Sequence, residues 1–309
     1  MKMMNGSYVE ELKAVLSGKK VTIVGHDNID VDALLSSILM SRLLTFLGIE
    51  NEFAILEKVK KDDTYEIAEE MFGIKMEKWE NVLEDDTRTL FLLDHYTTIH
   101  KGTVIGCVDH HPNKADKSYD FMYTRKACAA AYLVYEIMEE AGYCITAEEA
   151  KMIIVSMMVD TTAFRSSKTI ETEAKKAKVL AEKFSLNYEE LEKYCLCLTP
   201  VESMSIDQII SNGQKWYDYS GNKVGFAYLQ LYGLPDEKVI NSWIEALHVK
   251  RFESKSKMLV FIIFETKDNT THEYRITEED TKHFVKLGIL SRGQDIMPLI
   301  EKKYSRKWA

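Results

Sequence analysis

Apolar residues gather along the first half of the chain in short runs separated by helix-spaced segments. Val9 to Leu16 reads as a lead-in helix and Lys20 to Val24 as a strand. Val31 to Leu47 has apolar residues at helical spacing and reaches Gly48, a C-cap residue. Glu52 to Leu56 is a second strand, and Thr64 to Phe72 is helical up to Gly73. Thr89 to Leu93 (TLFLL) reads as a buried strand ending on Asp94-His95, and Thr103 to Val108 as another ending on Asp109-His110-His111. Helices follow over Lys126 to Ala141, Ala147 to Val159 (which delivers Asp160) and Thr172 to Phe184. Strands alternating with helices predict an α/β unit, a mainly parallel sheet with helices on both faces. Three of the apolar runs finish at a His or an Asp. In such a sheet the strand ends point one way, so residues distant in sequence can meet there.

The pattern changes after Leu186. Tyr188 to Tyr194 is a short acidic helix, and Cys195 to Val201, with Pro200, has little periodicity and reads as a linker. Beyond it come a helix at Ile206 to Ile210, a hairpin turn at Gly221-Asn222, and strands at Val224 to Leu231, Met258 to Phe264 and His272 to Ile276. Helices are expected over Asp236 to Arg251 and Thr277 to Leu287, the latter on the N-terminal signals Thr277 and Glu279, and Ser291 to Tyr304 closes the chain. The division expected is residues 1–196, a linker at 197–204, and a smaller α+β domain at 205–309.

Composition supports a folded, helix-rich chain: of 309 residues 46% are hydrophobic and 29% charged, with only 4 Pro. A net charge of −9 sets the chain against long nucleic acid. The longest apolar runs are far too short to span a bilayer. Five cysteines at irregular spacing, with no secretory N-terminus, read as a reduced, cytoplasmic protein. Cys195-x-Cys197 lacks the second pair or nearby histidines that a metal or redox motif needs.

The chemistry concentrates in Val21 to Ala33 (VTIVGHDNIDVDA), where His26, Asn28, Asp30 and Asp32 follow a strand within seven residues. The loop offers imidazole and carboxylate rather than a glycine cradle for phosphate, which points to metal. His26, Asp30 and Asp32 from this loop, with Asp94, His110 and Asp160 from later strand and helix ends, make six candidate ligands. Four clustered carboxylates repel one another and would partly protonate unless cations sit among them. Two divalent ions about 3.5–4 Å apart would balance them. A nitrogen and oxygen donor set without thiolate suits Mn²⁺, Mg²⁺ or Co²⁺. A water bridging such ions loses a proton near neutral pH and becomes a nucleophile toward phosphorus. The bland alternatives are a solvated acidic loop for residues 26–32 and helix caps for Asp94 and Asp160. His95 and His100 read as ordinary surface residues, and Arg165 and Lys168 in FRSSK carry no assignment.

GHDNIDVDA, the Asp94 strand end, CVDHHPN and VDTTAF together resemble the DHH phosphoesterase superfamily, in the order that family shows. The resemblance implies one metal on His26, Asp30 and Asp94 and another on Asp32, Asp94, His110 and Asp160, with Asp94 bridging. It gives His111 the substrate phosphate and general-acid work, and Asp109 the orienting of that ring. The absence of any Gly-Gly pair sets aside the nuclease-like branches. GQKWYDYSGNKV and GILSRGQDIMP resemble instead the C-terminal domain called DHHA2, found in family II manganese-dependent inorganic pyrophosphatases and related exopolyphosphatases. In that alignment Lys215 and Arg292 grip the terminal phosphate, with the active site in the cleft between the two domains. The expected activity is therefore a hydrolase acting on acid anhydrides, with two Mn²⁺ ions, a small phosphorylated substrate and no membrane or long nucleic acid as partner. Family relatives are often dimers through the first domain, which leaves room for a homodimer.

Two departures from the pyrophosphatase pattern stand out. Ile29 replaces a usual proline, and the family's Ser-Arg-Lys-Lys-Gln reads Ser291-Arg292-Gly293-Gln294-Asp295. Each charge-assisted hydrogen bond lost is worth about 1.5–3 kcal/mol, so pyrophosphate affinity or turnover would fall by one to several decades. Pyrophosphate is the first substrate implied. Polyphosphate or a nucleotide-type phosphoester, and a metal- or nucleotide-binding regulatory module without turnover, remain as alternatives.

Overall fold

The computed structural model describes residues 7–26, 29–54, 64, 67–74, 84–98, 100–112, 117–196, 201 and 204–305. The chain divides into two compact units, Met1–Phe164 with Lys168–Leu191, and Arg165–Ser167 with Glu192–Ala309. Asn28, Cys197 and most of the expected linker lie outside the described residues, as do residues 55 and 56 of the expected second strand and 65 and 66 of the expected helix after it.

The first unit opens with α1 (Tyr8–Leu16), capped by Ser7. Its sheet holds β1 (Val21–Val24), β2 (Asn51–Ala54), β3 (Thr89–Leu93), β4 (Thr103–Asp109) and β5 (Phe121–Thr124) in the order β2-β1-β3-β4-β5. Every pairing is parallel. The chain leaves β1 toward β2 on one side and returns to β3 on the other. The carboxyl ends of β1 and β3 therefore flank the point where the winding reverses, the place where open α/β sheets bind ligands. α2 (Val31–Phe46) is apolar nearly all round and buried for most of its length, as such a helix must be, between α3 (Ala130–Glu140) and α4 (Ala147–Thr161). α5 (Glu171–Lys183) and α6 (Tyr188–Leu196) follow. Within the stretch expected to be helical, Ile67–Met71 form a π-helical turn.

α3 begins four residues later than the alanine-rich pattern predicts. Lys126 to Ala129 are not helical, because tertiary partners take their backbone groups: the Ala127 carbonyl accepts from His110 and the Cys128 N–H donates to Glu173. Ala129 offers no side-chain cap; Asp32 caps the helix from α2 instead. β5 escaped the sequence reading because four alternating residues carry too short a pattern to register.

The second unit contains α7 (Ile206–Ser211), β6 (Lys215–Tyr219), β7 (Asn222–Leu231), α8 (Glu237–Glu253), β8 (Met258–Glu265), β9 (Thr270–Ile276), β10 (Thr281–Leu287) and α9 (Met297–Ser305). Its sheet runs β10-β9-β8-β7-β6, antiparallel except for the β7–β8 pair. One face packs Leu229, Phe261 and Ile263 against Trp243 and Leu247 of α8; the other packs Phe226, Val260 and Ile262 against Ile289, Ile296 and Ile300. The β6–β7 turn is centred on Ser220-Gly221, both left-handed, one residue before the predicted turn.

The expected helix at Thr277 to Leu287 is wrong. Thr277 closes a turn, its hydroxyl accepting from the N–H groups of Glu279 and Asp280, and β10 then pairs with β9 along its full length. The threonine read as a helix cap is a turn cap; the two share the same local hydrogen bond.

Among the described residues the four cysteines are free thiols, with burial pushing the Cys195 thiol up to about 12, so it behaves as a packed apolar group. No described helix is long and apolar enough to cross a membrane.

Candidate metal centre

Each candidate ligand sits at the end of an element that fixes it. Gly25 follows β1, and a Cβ there would meet Ile29 Cδ1 at 3.0 Å and the Ala33 carbonyl oxygen at 3.2 Å, so glycine lets the strand end lie against the start of α2. That close approach brings His26 beside Asp30, whose Oδ1 caps α2 by accepting from the Ala33 N–H at 3.0 Å. Asp32 lies in the first turn of the same helix. Asp94 follows β3 with φ 65, a left-handed conformation that aspartate tolerates better than most residues, and its N–H donates to the Val108 carbonyl at 2.9 Å. β4 delivers Asp109, His110 and His111, and the last turn of α4 delivers Asp160.

All six converge. His26 Nε2 lies 3.4 Å from Asp30 Oδ2 and 3.6 Å from Asp94 Oδ2. His110 Nε2 lies 3.2 Å from Asp94 Oδ1, 3.7 Å from Asp32 Oδ2 and 3.8 Å from Asp160 Oδ2. Asp94 thus faces both groups, one oxygen toward each histidine. Three of these atoms, Asp94 Oδ1, His110 Nε2 and Asp160 Oδ2, are buried without a hydrogen-bond partner. Buried polar atoms are paired in the great majority of cases, so three orphans aimed at one another mark a place built for a cation. Oxygen and imidazole donors without sulfur fit a divalent metal of the manganese type.

Supporting contacts fix the donors. The Ala127 carbonyl, which can only accept, lies 2.9 Å from His110 Nδ1, so in the neutral ring the proton sits there and Nε2 presents its lone pair. Asp32 accepts from the Ala130 and Ala131 N–H groups at 2.6 and 3.0 Å and from Ser156 Oγ at 2.6 Å. Asp109 Oδ1 accepts from the N–H of His111 at 3.0 Å and lies 2.9 Å from its Nδ1, so the ring turns Nε2 away from Asp109. Sequence reasoning missed Ser156, although it stands four residues before Asp160 on one face of α4. The surface reading of two other histidines is corrected. His100 is buried, and the His95 ring lies edge-on to His26 with centroids 6.3 Å apart and Nδ1 2.9 Å from the Leu93 carbonyl.

The electrostatics follow from crowding. Burial, reinforced by Asp94, pushes the Asp32 carboxyl up to about 7. Burial works against charge on His110, but the carboxylates of Asp94, Asp160 and Asp32 outweigh it and hold the imidazole well above its ordinary range. His111 is raised in the same way, its own burial overcome by Asp109 and Asp94. Asp30 goes the other way: desolvation opposes its ionisation, yet His26 and the Ala33 N–H hold it below the usual carboxylate range. Over half of the Asp30 side chain meets solvent, so its partners set the direction.

In the second unit, Lys215 opens β6 and is exposed. Arg292 opens a π-helical turn, Arg292–Ile296; its Nη1 donates to the Gly213 carbonyl at 2.8 Å and its guanidinium lies 5.1 Å above the Tyr228 ring. Neither Asp295 nor Glu301 holds it. Gly213 lies two residues before Lys215, so the two cations occupy neighbouring segments. Asp295 accepts from the Ser291 N–H at 2.7 Å and from Ser167 Oγ at 2.6 Å, which spends its carboxylate on the turn.

An all-parallel sheet with His and Asp side chains gathered at its reversal point is an α/β unit with a candidate metal centre. Residues 20–163 match the family described as DHH family, N-terminal domain. Along most of its length the chain is similar to a protein of Lactobacillus helveticus named "Probable manganese-dependent inorganic pyrophosphatase", 22% identical over 308 residues, 91% of this chain and 97% of that protein. A protein of the same name from Streptococcus agalactiae serotype Ia is 23% identical over 311 residues, 93% of this chain and 99% of that one. The crystal structure of a Methanococcus jannaschii protein assigned to the family II inorganic pyrophosphatases matches with a TM-score of 0.69 at 20% identity, over 93% of this chain and 100% of that one. At that identity the likeness is one of fold.

Proposed function

We propose that the protein is a metal-dependent phosphohydrolase that cleaves a phosphoanhydride, with inorganic pyrophosphate as the first substrate. The observation that carries this reading is the meeting of Asp94 Oδ1, His110 Nε2 and Asp160 Oδ2, buried and without hydrogen-bond partners. The names of the similar proteins support the substrate and the metal. Two divalent ions, manganese foremost, would supply a water activated for attack and positive charge on the phosphoryl oxygens.

The chain's own residues do the rest. His26, Asp30 and Asp94 would hold one ion, and Asp32, Asp94, His110 and Asp160 the other. Ala127 fixes the His110 tautomer, and Ser156 with the start of α3 fixes Asp32. Asp109 holds the Nδ1 proton of His111, which leaves Nε2 to hold or donate a proton at the phosphate. Lys215 and Arg292 supply cationic donors for the terminal phosphate.

A second reading, terminal cleavage of polyphosphate, is favoured by Gly293, Gln294 and Asp295, since Asp295 is tied to the turn and offers the substrate no cation. Purified protein loaded with Mn²⁺ or Mg²⁺ is assayed for phosphate release from pyrophosphate, short polyphosphate, nucleotides and dinucleotides. Pyrophosphate is expected to be hydrolysed fastest. A preference for polyphosphate selects the second reading, and metal-loaded protein that releases no phosphate from any of them defeats both.

A further inference from the structure

The chain reverses directly after α4. Thr162, Ala163 and Phe164 all have left-handed backbone, with φ of 54, 48 and 62. None is glycine, so each is held against its intrinsic preference. The Ala163 N–H donates to the Met158 carbonyl at 2.6 Å, the Phe164 N–H donates to Thr161 Oγ1 at 3.0 Å, and that hydroxyl donates to the Met157 carbonyl at 2.6 Å. Strain held this firmly beside a site argues that the turn serves a placement.

Four residues past the turn stands Lys168. Its Nζ lies 2.6 Å from Asp160 Oδ1, and only 25% of its side chain is exposed. The other oxygen of that carboxylate, Oδ2, is buried without a hydrogen-bond partner, 3.8 Å from His110 Nε2. Asp94 and Asp30 also favour the ammonium through space.

We propose that Lys168 is a positioning residue of the metal centre, engaging Asp160 through Oδ1, presenting Oδ2 alone to the ion and leaving the loaded centre with surplus positive charge. This rests on the dinuclear reading above. Apart from the Asp109–His111 pair, the centre holds the carboxylates of Asp30, Asp32, Asp94 and Asp160, which carry four negative charges when ionised; two divalent ions cancel these, and Lys168 adds one positive charge. That surplus suits an anionic phosphate. Two opposed effects follow. Lys168 competes with the ion for Asp160 and so weakens metal binding, and it strengthens anion binding once the metal is in place. A side chain that merely packed the turn would not move the two in opposite directions.

The test is calorimetric titration of Mn²⁺ into metal-stripped, full-length wild type, Lys168→Met and Lys168→Arg, followed by titration of inorganic phosphate into each loaded protein. Wild type is expected to take up two ions. Lys168→Met is expected to bind one of them about tenfold more tightly, with the other little changed, and phosphate about tenfold more weakly. Lys168→Arg should follow wild type in both. If Lys168→Met does not fold, Lys168→Gln, which keeps a polar end without the charge, is read the same way. Wild-type affinities for both ligands in the uncharged variant overturn the proposal, as does a parallel loss of both. Wild type binding fewer than two ions overturns the dinuclear reading and the role of Lys168 with it, a result visible before any variant is measured.

Discussion

At the scale of single residues, the candidate ligands were legible and their supports were not. His26, Asp94, His110 and Asp160 could be found because an ionisable side chain after a buried element stands out in one dimension, and Asp30 and Asp32 because they share the polar stretch that follows β1. Ser156, the Ala127 carbonyl and the N–H groups of Ala130 and Ala131 act through contacts formed only on folding, and serine or alanine inside a helical pattern carries no mark of them. The same crowding dictates how the protein answers to pH. Metal-free, Asp32 and His110 both bind a proton more tightly folded than unfolded. For Asp32, stability is lost as pH rises from the ordinary carboxylate value toward about 7; for His110, it is lost as pH rises through its raised folded value. Asp30, shifted downward, acts only in acid below this window. Metal must displace both protons. Between about pH 5 and 8 the melting temperature of metal-free protein should therefore fall, while the increment gained on adding Mn²⁺ should grow. Scanning calorimetry with and without Mn²⁺ measures both; an increment that shrinks with pH would remove Asp32 and His110 from the ligand set.

At the scale of elements, the parallel sheet followed from its apolar runs, whereas the extended edges did not. β5, β6 and β10 are short or exposed, and an edge strand presents too little buried surface to impose a clean alternation on its sequence. Residues 281–287 (TKHFVKL) show this: lysines and a histidine interrupt the apolar positions, and the turn at Thr277 imitates a helix start. The central strands allow a sharper expectation. A Cβ at Gly106 of β4 would lie 2.7 Å from Phe91 Cε2 and 3.0 Å from the Phe121 carbonyl oxygen. The rings of Phe91 and Phe121 are fully buried, and the carbonyl belongs to the neighbouring strand, so neither can yield freely. Gly106→Ala should cost about 1–3 kcal/mol. Because β4 carries Asp109, His110 and His111 at its end, Mn²⁺ affinity should fall with it. Thermal melts and Mn²⁺ titration check the two together, and a variant that melts and binds like wild type would show that β4 has slack.

At the scale of the whole molecule, two units are present, and every candidate metal ligand belongs to the first. Metal alone should thus steady one unit and leave the other as it was. Hydrogen exchange followed by mass spectrometry, with and without Mn²⁺ and in the absence of substrate, is expected to slow at β1, β3, β4, the start of α2 and the end of α4, with β7, β8 and β9 unchanged. Slowing confined to the second unit would place the metal there. The sequence put the boundary at a linker over residues 197–204, where helix-spaced runs give way to a hairpin-rich stretch; the second unit of the structure takes up Glu192–Ala309. It could not show that Arg165–Ser167 are counted with the second unit, since three residues have no pattern of their own.

The three dry, partnerless donor atoms at the ends of β3, β4 and α4 have a consequence for the protein's lifetime. Until a cation arrives the chain stays folded despite its own repulsion, and small losses of stability enlarge the unfolded fraction that proteases clear. The standing amount of this protein should accordingly track manganese supply even when its synthesis is constant, so that scarcity of the ion thins the population before any molecule is asked to work.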